Sequence, residues 1–477
     1  MPGDVLLSGL TRRRFLLISA GAALAACESS DPAPSGSLAA PRPSAGPSSA
    51  DPPTASAPPA PSERAPSPQP APTVDPGPGP RVLYRDAALA DGRSDRLRIG
   101  LSVLVENRVV RWIRPSDDEG RIGSRTGLEI VDASGATIVP GMVDAHSHVT
   151  MPGGAHWIDR GFDEAAVLLR TADRNGRLLT SAGVRWARDV GAPVRNDPDR
   201  GGRRALSITV RERWKGRPHL PYIRAAGTWI LRTGSLPGGL GAEASNADEL
   251  LAAANAQLDD GADLVKLYLD GPDPASSPWS VAEVRRVVQA VHGRGAKVTA
   301  HSGRLSGARV GVQAGVDALE HGFELDATTA RAMARRGTAL VSTLAVMRSW
   351  LTFGHTTRLE RFATAGGRQA IQDRLERAQA SVRFAHAAGV AIASGTDFGG
   401  GSLRANQLAW EVESLVAAGL EPWEALGAAT WRGGQLLDEP DAGVLREGGP
   451  ADFFLVHGDP LSDPRALWRV WRVAWAD

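Results

Sequence analysis

A chain of 477 residues is longer than one domain of ordinary size needs, so a large core with appendages is expected. Its 54 basic and 53 acidic side chains leave a formal net charge of +1, which excludes a global basic field for nucleic acid and an acidic solvating tail. A single cysteine excludes an intramolecular disulfide framework or a Cys-based zinc finger, and a mean hydropathy of -0.19 without a long apolar run excludes a polytopic membrane protein.

Near its start the chain carries Thr11-Arg12-Arg13-Arg14-Phe15-Leu16 and an apolar stretch to Ala26 that is too short to span a bilayer. A basic head, a short apolar middle and a small-residue end make an export signal over residues 1–27. The arginine pair followed by Phe and Leu resembles a twin-arginine signal, a route that carries folded proteins. Leu24-Ala25-Ala26-Cys27 resembles a bacterial lipobox, which implies a lipid anchor on Cys27 and a location outside the cytoplasm, at a membrane facing the periplasm or cell exterior. Residues 28–80 read as a disordered tether, because 17 of the 34 prolines fall within 31–80 and only Leu38 and Val74 are large and apolar there.

Residues 81–140 contain β-type runs at Leu101–Val105, Val109–Ile113, Leu128–Val131 and Ala136–Val139, and residues 433–477 add Phe453–Val456 and Trp468–Trp475. Two β segments that flank the body in sequence are expected to pair as one small composite β-sandwich domain. Between them, over 141–432, short apolar strands alternate with helical patterns. Gly183, Gly261, Gly295, Gly315, Gly337 and Gly389 each punctuate a helix end just before a strand, as the left-handed C-terminal cap requires. The strands are Thr137–His146, Val184–Asp189, Tyr222–Gly227, Asp263–Tyr268, Lys297–His301, Val316–His321, Ala339–Thr343 and Val390–Asp397. Eight such units predict an α/β fold, a (β/α)8 TIM barrel. A doubly wound open sheet competes, but no G-x-G-x-x-G follows the first strand.

Chemistry in a barrel sits at the C-terminal strand ends. Strand 1 ends Asp144-Ala145-His146-Ser147-His148, and i, i+2 side chains share a strand face, so His146 and His148 can converge on one ion. Strand 4 carries Lys266 in an apolar run. Only three of the 54 basic residues are lysine (Lys215, Lys266 and Lys297), so a plain salt-bridge role for Lys266 would more readily have been filled by Arg. Lysine offers what Arg cannot, a neutral amine that adds CO2 to give a carbamate oxygen ligand. Strands 5, 6 and 8 end in His301, His321 and Asp397. His292 and His386 fall near helix ends, His219 and His457 in turns, and His156 and His355 in strand-end loops.

Val139-Pro140-Gly141-Met142-Val143-Asp144-Ala145-His146-Ser147-His148 resembles the opening signature of the amidohydrolase superfamily. Ala182 to Gly191, the Lys266 strand, His301-Ser302-Gly303, Glu320-His321-Gly322, Gly395-Thr396-Asp397 and Ala451 to Val456 follow in that family's order. The resemblance covers about residues 81–477 and is similar to the imidazolonepropionase-like and Xaa-Pro dipeptidase-like group. It implies two divalent metal ions, zinc suiting the imidazole and carboxylate donors. His146, His148 and Asp397 would hold one ion, His301 and His321 the other, and carbamylated Lys266 would bridge them with a hydroxide. Asp397 would be general base and then general acid, with Lys266 serving the catalytic centre as bridge. Imidazolonepropionase proper is mononuclear and lacks the lysine, so Lys266 points to a two-metal member.

For a small-molecule substrate, Tyr268 just beyond Lys266 and Arg232 in the loop Thr228–Leu240 are the candidate contacts, Arg232 for a carboxylate. The family often places a His in that loop and this chain has none. Trp157 and Trp350 near strand ends suit packing. The expected function is hydrolysis of an amide, dipeptide or cyclic amide C–N bond. A lactone or phosphotriester hydrolase using the same centre, or a non-catalytic lipid-anchored binding protein, are the alternatives. A homo-oligomer is left open.

Overall fold

The computed structural model describes residues 81–120 and 127–476. The export signal with Cys27 and the segment 28–80 lie outside the described residues. Strand β1 (Arg81–Leu89) was not marked by the hydropathy pattern, yet it is the hub of the first sheet. It pairs antiparallel with β2 (Arg98–Glu106), which pairs with β3 (Val109–Pro115). The other edge of β1 takes β4 (Leu128–Asp132) along its first half and β5 (Ala136–Pro140) along its last residues, both parallel.

The run read as one strand from Thr137 to His146 divides at Gly141. β5 stays in the first sheet, while β6 (Met142–Ser147) enters the barrel. Gly141 donates its N–H to the Asp452 carbonyl (2.8 Å), and a Cβ there would sit 2.7 Å from that of Arg185, so the crossing point has no room for a side chain.

Parallel strands then follow. β6 pairs with β7 (Val184–Asp189). A short hairpin, β8 (Val194–Asn196) and β9 (Arg203–Ala205), precedes β10 (Tyr222–Ala225), which pairs with β7. The strand-3 loop is partly ordered as β11 (Trp229–Arg232) and β12 (Ala242–Ala244), and β11 lies in register against β13 (Leu264–Tyr268), with Trp229 opposite Lys266. From β13 the sheet continues through β14 (Lys297–Ser302), β15 (Ala318–His321), β16 (Ala339–Ser342) and β17 (Ile392–Ser394). Their ladders run in two parallel arcs rather than one closed ring. A few bonds cross both seams: Asp397 N–H to the His146 carbonyl (2.8 Å) and His148 N–H to the Phe398 carbonyl (3.0 Å) between the ends of β17 and β6, and Asp263 N–H to the Ala225 carbonyl (2.8 Å) with Ala225 N–H to the Asp263 carboxylate (2.8 Å) between β10 and β13. The architecture is α/β and TIM-barrel-like, with helices between the strands.

The helix-ending glycines read from the sequence all adopt left-handed φ, between 73° and 93°; Gly315 and Gly337 cap the helices Leu305–Ala314 and Ala327–Arg336. An L residue would be strained at either cap.

The chain returns as β18 (Phe453–His457), antiparallel to β5, and β19 (Val470–Val473) beside it. N- and C-terminal segments therefore share one seven-stranded mixed sheet, where two facing sheets were expected. Alternation along β18 serves two cores. Phe453 and Leu455 pack with Tyr84, Val103 and Ile138 of the small sheet, while Phe454 and Val456 join the barrel core. Burying Phe454 fully contributes about 1.5–3 kcal/mol to that joint. Arg185 pins it electrostatically, donating to Asp452 (2.8 Å) with both groups almost wholly buried. Among the described residues no helix is long and apolar enough to cross a membrane.

Candidate active site

The strand ends of β6, β13, β14, β15 and β17 bring four histidines, a lysine and an aspartate together. β6 places Asp144, His146 and, just past its end, His148 on one alternating face. Asp144 ties strand 1 to strand 8, accepting from the Thr396 hydroxyl (2.6 Å) and backbone N–H (3.0 Å). Complete burial pushes the Asp144 carboxyl up to about 7, against the lowering effect of these bonds.

His146 Nε2 lies 3.3 Å and His148 Nε2 3.2 Å from the same oxygen, Asp397 Oδ1. His321 completes the group: ligand atoms of His146, His321 and Asp397 all fall within 4.8 Å of one another, a spacing that can hold a metal ion. His301 adjoins it, its ring centroid 4.5 Å from that of His321. Each histidine has one nitrogen engaged by an oxygen other than those of Asp397. His146 Nδ1 meets Glu320 (2.6 Å), His148 Nδ1 the Gly191 carbonyl (2.7 Å), His321 Nδ1 the Thr343 hydroxyl (2.8 Å) and His301 Nε2 the Asp270 carboxylate (3.2 Å). Such outer partners fix the ring and leave the other nitrogen for an ion, so the donor set fits a metal centre.

Backbone conformation contributes as well. Neighbouring residues of a strand normally face opposite sides, yet Glu320 and His321 both serve the interior. His321 has φ 69°, a left-handed conformation that turns the chain at the end of β15, and Asp397 has φ 53° after β17. These are positive-φ residues without the freedom of glycine, at a cost of about 1 kcal/mol or more each, and such strain concentrates at functional sites.

Burial pushes the Asp397 carboxyl up, but the charge of His146 and hydrogen bonds from His146 and His148 outweigh it and hold the group well below the usual carboxylate range. His321 is held well below the ordinary imidazole value by burial and by its neighbours His301 and His146. Burial also lowers His301, opposed by its bond to Asp270. Both rings are therefore favoured in the neutral form that ligates metals.

Lys266, 1% exposed, makes no hydrogen bond or ion pair among the described residues. Burial lowers its ammonium to about 8, opposed by the charges of Glu320 and Asp397. Beneath it lies a polar layer that sequence reasoning passed over. Glu320 accepts from His146, from Arg188 Nη2 (2.6 Å) and from the Thr299 hydroxyl, while Arg188 Nε also donates to the Ala145 carbonyl (2.6 Å). Burial alone would raise Glu320, but Arg188 and His146 hold it well below the carboxylate range. Glu320 stood in plain view beside His321; its role needed the positions of three other strands.

Tyr268 lies flat on the His301 ring (3.9 Å between centroids, 9° between planes). Arg232, at the end of β11, sits with its guanidinium 4.9 Å over Trp279. Trp229, which sequence reasoning left without a site role, stacks on His148 (5.0 Å) where the family often has a His nearby. Trp157 and Trp350 stack on each other (5.9 Å).

The Amidohydrolase family model matches residues 137–473. An uncharacterized protein of Mycobacterium tuberculosis (strain ATCC 25618 / H37Rv) is 30% identical over 382 residues, spanning 79% of this chain and 93% of that protein. An imidazolonepropionase of Anaeromyxobacter dehalogenans (strain 2CP-1 / ATCC BAA-258) is 26% identical over 383 residues, 75% of this chain and 84% of the relative. In structure, a Xaa-Pro dipeptidase crystallised with bound methionine shares the fold at a TM-score of 0.69 and 24% identity, over 82% of this chain and 97% of its own. The chain belongs to the amidohydrolase family and is a hydrolase acting on carbon–nitrogen bonds.

Proposed function

We propose that this chain hydrolyses an amide, dipeptide or cyclic amide bond at a centre of two divalent ions, zinc being the ion its donors suit. His146, His148 and Asp397 would hold one ion, His301 and His321 the other, with Lys266 carbamylated by CO2 between them. The observation that carries this reading is Lys266, 1% exposed and without a hydrogen bond or ion pair among the described residues, beside the His and Asp donors. A buried ammonium left unneutralised is costly. Conversion to a carbamate removes that positive charge and supplies oxygen donors. A lowered amine also has more of the neutral form that CO2 requires.

When bound, such ions activate a water and polarise a carbonyl. The chain's own groups do the rest. Asp397, ionised, accepts the proton of the attacking water at a carboxylate oxygen and delivers it to the leaving amine nitrogen. Glu320 and Arg188 keep the His146 ring in one tautomer throughout. Tyr268 and Arg232 are the substrate contacts, the latter for a carboxylate. We assign the chain an extracytoplasmic location, exported by the twin-arginine route and anchored by lipid on Cys27, on the strength of the sequence around Arg12, Arg13 and Cys27.

The test is a hydrolysis screen of zinc-loaded protein on N-acyl amino acids, Xaa-Pro dipeptides, cyclic amides, lactones and phosphotriesters. Turnover of a C–N substrate at least tenfold above the esters is expected. Exclusive turnover of lactones or phosphotriesters would overturn the assignment.

A further inference from the structure

The alternation of β13 does not stop at Lys266. Lys266, Tyr268 and Asp270 occupy positions i, i+2 and i+4, and the pairing with β14 continues past the strand through the Leu269 N–H bond to the His301 carbonyl (3.0 Å). Tyr268 stands opposite His301 in the ladder and stacks on its ring. Asp270, 7% exposed, reaches the same residue from above: Oδ2 lies 3.2 Å from His301 Nε2 and also accepts the Gly303 N–H (2.6 Å). Its Oδ1 accepts from the Ser302 hydroxyl (3.1 Å). Three successive residues of strand 5 are thus held by one carboxylate from strand 4.

His301 needs that support more than the other histidines do. Its side chain is 20% exposed, against 1% for His146 and 3% for His148. It is also the one whose partner outside the cluster sits on Nε2 rather than Nδ1. An imidazole facing the opening of the site can rotate or change tautomer unless something fixes it, and a carboxylate on Nε2–H does both jobs and makes Nδ1 more basic.

We propose that Asp270 is the positioning residue of the second half of the centre. Through Oδ2 it sets the His301 tautomer and ring angle, and with Tyr268 it makes strand 4 the builder of that half: one strand supplies the lysine, the stacking ring and the orienting carboxylate. The proposal rests on the two-ion reading above.

The experiment titrates the full chain with cobalt(II) in bicarbonate, reading stoichiometry and affinity from visible absorption, for wild type, Asp270→Asn, Asp270→Ala and His301→Ala. Wild type is expected to take two ions. Asp270→Ala should keep the first at wild-type affinity and weaken the second about 10–100-fold, as loss of an outer-shell partner does. Asp270→Asn, which preserves shape and can still accept a bond, should fall between. His301→Ala marks the loss of the second ion. If wild type takes two ions and both Asp270 variants match it, the proposal is wrong and the two-ion reading stands. If wild type takes one ion, the two-ion reading fails and the proposal with it. Equal weakening of both ions would make Asp270 a general structural residue and also overturn the proposal. Nitrogen-15 spectra of histidine-labelled wild type need no variant: His301 should be the Nε2-protonated ring among the four, and an Nδ1-protonated His301 would contradict the proposal.

Discussion

The two sides of the site are built differently. On the β6 and β17 side, His146 and His148 are almost wholly buried, both point Nε2 at one oxygen of Asp397, and strand ends lock together through Asp144, Thr396 and the Asp397 N–H. On the β14 and β15 side, His301 is partly exposed and is held by a stack and a carboxylate from the neighbouring strand. The first side is closely packed; on the second, His321 is buried but His301 is held by a few directed contacts. On the proposed two-ion reading, the packed side should hold its ion the more tightly. Glycine marks the same contrast. A Cβ on Gly395 would collide with His146, and one on Gly400 with the His148 ring, so backbone closes directly over the first pair.

The largest effect belongs to Asp397→Asn. It removes both the shared oxygen of the packed side and the proton carrier, and kcat should fall about 10²–10⁴-fold in a steady-state assay of the best substrate. A residual rate near wild type would assign the proton transfer elsewhere. Next, Lys266→Ala should lose metal and activity. Lys266→Arg should do no better, because guanidinium keeps its charge against two ions. Acetate or propionate should restore part of the rate in Lys266→Ala, in a concentration-dependent way. A salt-bridge role for Lys266 would reverse the ordering, with Arg tolerated.

Gly400→Ala sharpens the comparison from the packed side. The added methyl must displace His148, so metal affinity should drop about tenfold or more at the first ion with the second less affected. Competition with a chromophoric chelator reads this directly.

The smallest effect is on pH-dependent stability. Glu411, in the helix Leu408–Ala418, is completely buried and accepts from the Ser342 hydroxyl (2.6 Å) and the Ala345 N–H (2.7 Å), fastening the end of β16 that presents Thr343 to His321. Burial pushes its carboxyl up to about 8 from 4.5. A carboxyl raised on folding stabilises the protonated folded state. That contribution is complete below about pH 4.5 and is lost as pH rises through 8, by at most about 1.4 kcal/mol per unit. Glu411→Gln, neutral at every pH, should flatten the fall of Tm between pH 4.5 and 8. An unchanged Tm profile would place the pH dependence in other groups.

The strand ends were legible because their chemistry is local: His-x-His on one strand, a lysine in an arginine-rich chain, and glycines where a helix must turn. The parts that were not legible depend on register between distant segments. Glu320 serves His146 from 174 residues away, and Arg188 reaches Glu320 across 132. No spacing rule along the chain reports such a contact. β1 has Arg85 and Asp86 breaking its apolar run, and Asp86 has φ 61° at a bulge, so the alternation that announces a strand is interrupted. The division at Gly141 was hidden for the opposite reason. β5 and β6 are both wholly buried, and only their partners, β18 and β7, differ. In the strand-3 loop, four residues from Trp229 to Arg232 became a strand because β13 offered an edge, something no local propensity encodes.

Metal content combined with the chemical state of Lys266 tests the central claim most directly. Full-length protein loaded with zinc and bicarbonate should contain two ions per chain by elemental analysis, and a crystal of it should show carbamate density on Lys266 between them. A firm stoichiometry of one ion with an unmodified Lys266 would contradict the account and leave a mononuclear hydrolase in its place.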